Sequence, residues 1–212
     1  MHIAEGVLSP PVWVGGWVLA AAGVAVGLRG LDYERMPRVA VLSAAFFVAS
    51  FAHVPIGGSS AHLVLNGLVG LLLGWAAVPA LFIALLLQAV LFGFGGLTTL
   101  GVNTVVMGAP AVACYVLFNR WLRRAKGRAV FWLGFAAGGT GIAGGCLLLA
   151  AALVTTGRAF EQVAGLVLIA HIPVAVIEGL VTGTAAGFLR QVKPELLDAP
   201  VCRARGAEYV HA

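Results

Sequence analysis

The chain has 212 residues, of which 61% are hydrophobic and only 10% charged, with a mean hydropathy of +1.02. A soluble surface needs roughly a quarter of its residues charged, so this composition excludes an ordinary soluble globule. The 13 Lys and Arg outweigh the 8 Asp and Glu by +5, but they sit in short clusters between apolar runs, a pattern that excludes a nucleic-acid surface. Three cysteines, Cys114, Cys146 and Cys202, show no CxxC pairing and fit neither a disulfide framework nor a zinc site. The expectation is an all-α polytopic membrane protein, one transmembrane domain over residues 1–212.

In chain order, the apolar runs predict about seven spans: Val12–Leu28, Val39–Val54, Ala61–Val78, Pro79–Phe92, Gly101–Phe118, Ala129–Thr155 and Val163–Leu189. A span needs about 20 apolar residues, with roughly 17 tolerated. The third and fourth run together around Trp75–Pro79, and their combined length reads as two crossings. Pro10-Pro11 marks a helix start, and Met1–Gly6 carries no basic lead-in to a cleavable signal, so the mature chain is expected to begin at or near Met1. Basic clusters follow the first, fifth and seventh spans (Arg29, Arg35, Arg38; Arg120 to Arg128; Arg190 to Arg205), while the other connections carry only Arg158. Because Lys and Arg collect on the cytoplasmic side, the amino terminus is expected outside and the carboxyl terminus inside. The tail over residues 195–212 is then cytoplasmic, short and frayed. Small-xxx-small spacings such as Gly134/Gly138 and Gly179/Gly183 read as internal helix packing.

Polar groups at membrane depth carry the functional information. His2 lies in the exposed terminus, His53 ends the second span and His62 opens the third. The Pro, Gly and Ser between them, Ser60 included, suit a tight non-helical connection. Topology brings these histidines to the outer side, and His171, roughly 12 Å down the seventh span at about 1.5 Å per residue, can approach them. A histidine at position 2 offers a metal its imidazole, its own backbone nitrogen and the α-amine of Met1 in linked chelate rings. One further imidazole completes a planar N4 set, which favours Ni(II) or Cu(II) over tetrahedral zinc.

Asn66, four residues after His62, would share its helix face and either orient the imidazole or bind a neighbouring helix. Gln88 and Asn103 lie in or beside spans, Asn103 after a candidate re-entrant loop over residues 94–101. Glu178, seven residues after His171, reads as a neutral or hydrogen-bonded structural group ahead of an ion ligand. Glu5 either supports His2 or is solvated. Gly96 to Gly101 has the glycine spacing of a nucleotide-binding loop, but Val102-Asn103 follows it. ATP hydrolysis by that route is excluded, as is an HExxH metalloprotease.

Met1-His2-Ile3 through Gly6-x-Leu8-Ser9-Pro10, His53 to Leu63 with Leu65-Asn66-Gly67-Leu68, Gln88 with Gly95-Gly96-Leu97-Thr98 and Gly101-x-Asn103, and His171-Ile172-Pro173 through Glu178-Gly179 together resemble the CbiM/NikM family. These are the substrate-binding S components of energy-coupling-factor transporters for cobalt and nickel. Phe94 departs from the pattern, which leads one to expect an acidic residue there. The resemblance implies a seven-helix S component in the prokaryotic cell (inner) membrane, not itself an enzyme, with residues 1–10 as a metal-binding segment tucked into the bundle. Its ligands for Ni2+ or Co2+, as transported substrate, would be Met1, His2 and His62. His53, Ser60, Asn66, Asn103, His171 and Glu178 would stand as supporting groups or alternative ligands. Implied partners are a transmembrane T component, two cytoplasmic ATPases and a small auxiliary membrane subunit. The rival readings are a stand-alone metal channel or secondary carrier, and an intramembrane metalloenzyme.

Overall fold

The computed structural model describes residues 2–51, 53–56 and 59–198, with the side chains of residues 53–56, 59–62 and 198 outside that description. Its helices are α1 (Pro10–Arg29), α2 (Met36–Ala49), α3 (Asn66–Leu73), α4 (Ala77–Phe92), α5 (Leu100–Arg124), α6 (Arg128–Thr156), α7 (Glu161–Val192) and the short α8 (Glu195–Asp198). A hairpin of β1 (His53–Ile56) and β2 (Ser59–His62) stands between α2 and α3. Five segments are long and apolar enough to cross a membrane: Pro10–Arg29, Asn66–Phe92, Leu100–Arg124, Arg128–Thr156 and Arg158–Val192. The protein is a multi-pass, all-α membrane protein, and the hairpin is its one sheet among the described residues.

Asn66–Phe92 is not one rod. Along α3 the neighbours on α5 move from Ala111 at Gly70 to Tyr115 at Gly74, whereas Val78 lies back beside Gly108. The chain therefore reverses at Gly74, whose φ of +57° and ψ of −128° suit a residue without a Cβ. As the merged third and fourth runs suggested, this stretch goes down and comes back.

Two expected spans begin or end elsewhere. The second, expected over Val39–Val54, stops at Ala49; residues 53–56 are paired as β1 instead, where Pro55 could not continue a helix. Ser50 closes the end by donating its hydroxyl to the Phe47 carbonyl at 2.8 Å. At 14 residues, α2 is only about 21 Å long. The third, expected from Ala61, begins at Asn66, because residues 59–62 are paired as β2. His62 thus opens no helix, and Asn66 shares no helix face with it. The tail also differs: its apolar Leu196-Leu197 pair forms part of α8, and Leu197 is fully buried with Leu122 and Val130. Residues 199–212 lie outside the described residues.

The most extensive helix pairing is that of α6 with α7. A Cβ added at Gly134 would meet the Gly183 Cα at 2.8 Å, and one at Gly138 would meet the Glu178 carbonyl oxygen at 2.5 Å. The small-xxx-small spacings are spent on this internal seam, where backbones touch. Pro37, Arg38, Leu189 and Leu196 line one cavity, and Arg190 donates to the Leu122 carbonyl at 2.6 Å. The charged ends of α2, α5 and α7 therefore gather at one end of the bundle.

Gly138→Ala is expected to lose about 1–3 kcal/mol through overpacking, read as a lower thermal unfolding midpoint in detergent. Gly139→Ala next to it, where a Cβ would meet only the Ala175 carbonyl at 3.8 Å, is expected to leave that midpoint within about 1 °C.

Candidate functional site

At the opposite end, the amino-terminal segment enters the bundle as extended chain. His2 is 5% exposed and Ile3 fully buried. An extended segment lacks the internal hydrogen bonds of a helix, so inside a membrane protein its peptide groups must be satisfied by other parts of the protein. Asn103, in the first turn of α5, supplies both partners: its Oδ1 accepts from the Ile3 N–H at 2.8 Å and its Nδ2 donates to the Ile3 carbonyl at 3.1 Å. Thr99, four residues earlier, donates its hydroxyl to the same carbonyl at 3.0 Å. The side-chain amide acts as a one-residue strand edge.

This clamp sets His2 beside α4. The His2 Nε2 lies 2.9 Å from the Gln88 Oε1. Gln88 is oriented in turn, since its Nε2 donates to the Ser50 hydroxyl, which donates to the Phe47 carbonyl. A relay in which Gln88 presents its carbonyl oxygen fixes the proton of a neutral His2 ring on Nε2, leaving Nδ1 as the basic nitrogen. Nδ1 is the ring atom that can close a six-membered chelate with the residue's own backbone nitrogen.

The loop between α4 and α5 lies over the same segment. A Cβ at Gly95 would stand 2.9 Å from the Asn103 Nδ2 and 3.6 Å from the Ile3 carbonyl, and one at Gly96 would run into the Glu5 carboxylate. Glu5 accepts from the Thr98 N–H at 3.3 Å and from the Thr98 hydroxyl, so it ties the segment to this loop. Phe94 joins Phe47, Phe51 and Phe92 in an aromatic cluster, with centroid separations of 4.7 Å for Phe51–Phe92 and 5.8 Å for Phe92–Phe94.

Of the expected metal-site residues, Met1 lies outside the described residues, as do the side chains of His53, Ser60 and His62. The backbone register pairs His53 with His62 across the hairpin. Among the described residues no group of three His, Cys, Asp or Glu side chains could hold a metal. His171 is buried on α7, with Nδ1 2.7 Å from the Val167 carbonyl and Nε2 without a partner among the described residues. Asn66 donates to the Gly141 carbonyl of α6 at 3.2 Å, so it binds the neighbouring helix. Glu178 accepts from the backbone N–H groups of Val64 and, at 2.7 Å, Leu65. Gln88, Ser50, Thr98 and Thr99 join the site without having been picked as site residues. For Gln88, a lone amide in an apolar run was the available signal, whereas Ser50 had none.

These features define a polytopic membrane protein whose polar site is built on an inserted amino-terminal segment carrying a histidine. Residues 2–196 match the CbiM family, the cobalt uptake substrate-specific transmembrane region, and the chain belongs to that family. It is 44% identical over 202 residues to a Haemophilus influenzae protein provisionally named for metal transport, covering 93% of this chain and 97% of the relative. It is 36% identical to a cobalt transport protein CbiM of Sorangium cellulosum, covering 93% and 95%. It is 33% identical to a fused nickel transport protein NikMN of Rhodobacter capsulatus, covering 93% and 64%. A crystal structure described as a transition metal transporter superposes with a TM-score of 0.74 at 26% identity, covering 91% of this chain and 93% of that one.

Asn103→Ala removes both amide contacts and leaves a buried N–H unpaired, a loss of about 1–3 kcal/mol. Amide hydrogen exchange at Ile3 should be slow in the wild type and accelerate by about 10-fold or more in this variant.

Proposed function

We propose that this chain is the substrate-binding component of an energy-coupling-factor importer and captures Ni(II) or Co(II) from outside the cell. The observation that carries this reading is the burial of His2 in a segment whose backbone is clamped by Asn103, with its Nε2 set 2.9 Å from the Gln88 Oε1. The ligands are the α-amine of Met1, the backbone nitrogen and Nδ1 of His2, and the imidazole of His62. His53, its cross-strand partner, is the alternative fourth ligand.

A planar nitrogen set suits Ni(II), and relatives carry both cobalt and nickel transport names. The site lies outside and the basic end faces the cytoplasm, in keeping with the distribution of Lys and Arg. A transmembrane T component, two cytoplasmic ATPases and a small auxiliary membrane subunit complete the importer. Relatives whose names join two components, NikMN and CbiMQ, favour such partnership.

His2→Ala, His62→Ala, or residues added before Met1 should each abolish Ni(II) and Co(II) binding by the purified chain in titration calorimetry. Tight binding retained with an extended terminus overturns the chelate, and metal uptake by this chain alone in liposomes overturns the need for partners. Affinity should rise with pH from about 6 to about 8. An imidazole with a pKa of about 6.5 and an α-amine of about 7.7–8.0 must both give up their protons, and the backbone amide loses another to the metal.

A further inference from the structure

Among the described residues Glu178 is the fully buried charged-type side chain, on α7 and seven residues beyond His171. Its Oε1 takes two backbone N–H groups, of Val64 and Leu65. Val64 follows His62 by two residues, and Leu65 holds a φ of +54°, the one positive φ at a non-glycine among the described residues. That left-handed step turns the chain from β2 into α3 and is disfavoured for a leucine, so it persists because its surroundings hold it. The holding group is itself anchored, because the Glu178 peptide is seated against α6 at Gly138. The hairpin also packs on α7.

At about 3.3 Å per residue, His62 lies only about 7 Å of strand from the pinned Val64 amide. We propose that Glu178 is a positioning residue for the substrate metal, pinning the base of the hairpin that carries His53 and His62 through one acceptor oxygen. This inference rests on the metal-capture reading above. The acceptor, not a charge, is what the pin needs, and a glutamine amide oxygen can replace it.

The test compares the wild type with Glu178→Gln and Glu178→Ala, using Ni(II) titration calorimetry and amide exchange at Val64 and Leu65. Glu178→Ala should weaken Ni(II) binding by about 10- to 100-fold, as loss of groups behind metal ligands does, and should expose both amides to exchange. Glu178→Gln should keep affinity within about 3-fold and both amides protected, a rescue that burial of any similar side chain would not give. Should Glu178→Ala not fold, Glu178→Met, close in volume and lacking the acceptor, takes its place with the same expectations. Unchanged affinity in the Ala or Met variant, or a Gln variant as weak as Ala, overturns the positioning role while leaving metal capture standing. Fast exchange of Val64 and Leu65 in the wild type overturns the pin itself. Absence of Ni(II) and Co(II) binding by the wild type overturns metal capture, and the positioning role with it.

Discussion

An extended peptide lacks the internal hydrogen bonds of a helix, so inside a bundle its N–H and C=O groups must be met by other parts of the protein or remain buried and unpaired. At Ile3 one asparagine meets both, and the rest of that end of the bundle is arranged around that contact. The clamp decides how far the terminus enters, and so which helix His2 faces. Gln88 then receives the ring, Ser50 orients Gln88, and the Phe47 carbonyl orients Ser50. Two helices, α2 and α4, and the terminal segment share one relay, in which each member has its donor and acceptor assigned by the next. Relays of this kind rigidify when every member is paired, and here the product is a His2 ring with a defined orientation against Gln88.

The hairpin solves the same problem differently. It continues α3, a helix of 8 residues and about 12 Å, towards the end of the bundle away from the basic residues. Backbone pairing between β1 and β2 satisfies the strands, and the Glu178 carboxyl satisfies the two amides at the strand-to-helix turn. The scaffold beneath is the α6–α7 seam, where glycines let the backbones touch and van der Waals contact replaces the hydrophobic drive that lipid does not supply. Two non-helical pieces of chain, each held by side chains from the helices, thus occupy the end of the bundle away from the basic residues.

The class of protein was legible because apolar content and run length answer directly to bilayer thickness. The reversal near Trp75 was legible too, since a run that long has little choice but to fold back. Hydropathy alone could not show that α2 is short or that His62 lies on a strand. The Pro, Gly and Ser of residues 55–60 marked a non-helical connection, but not that its flanks, His53-Val54 and Ala61-His62, pair as strands. Asn66 illustrates the consequence: a spacing of four implies a shared face only if one helix contains both residues, and here a hairpin intervenes. Asn103 and Gln88 stood out as amides in apolar sequence, but which backbone or ring they serve depends on contacts about 100 residues away, which no local pattern encodes. Ser50 and Thr99 are small hydroxyls whose solvation or service cannot be told from their neighbours.

The glycines between Gly93 and Gly101 show how a spacing can look like one chemistry and serve another. Gly96 and Gly101 have the separation of a phosphate-binding loop, yet each stands where other chain passes too close for a Cβ. At Gly96 the obstacle is the Glu5 carboxylate, and at Gly101 it is the Trp17 backbone of α1, whose nitrogen would lie 2.5 Å away. The first glycine admits the terminal segment and the second seats α1 on α5, so both serve the insertion of the terminus. A loop committed to that packing is not a nucleotide cradle.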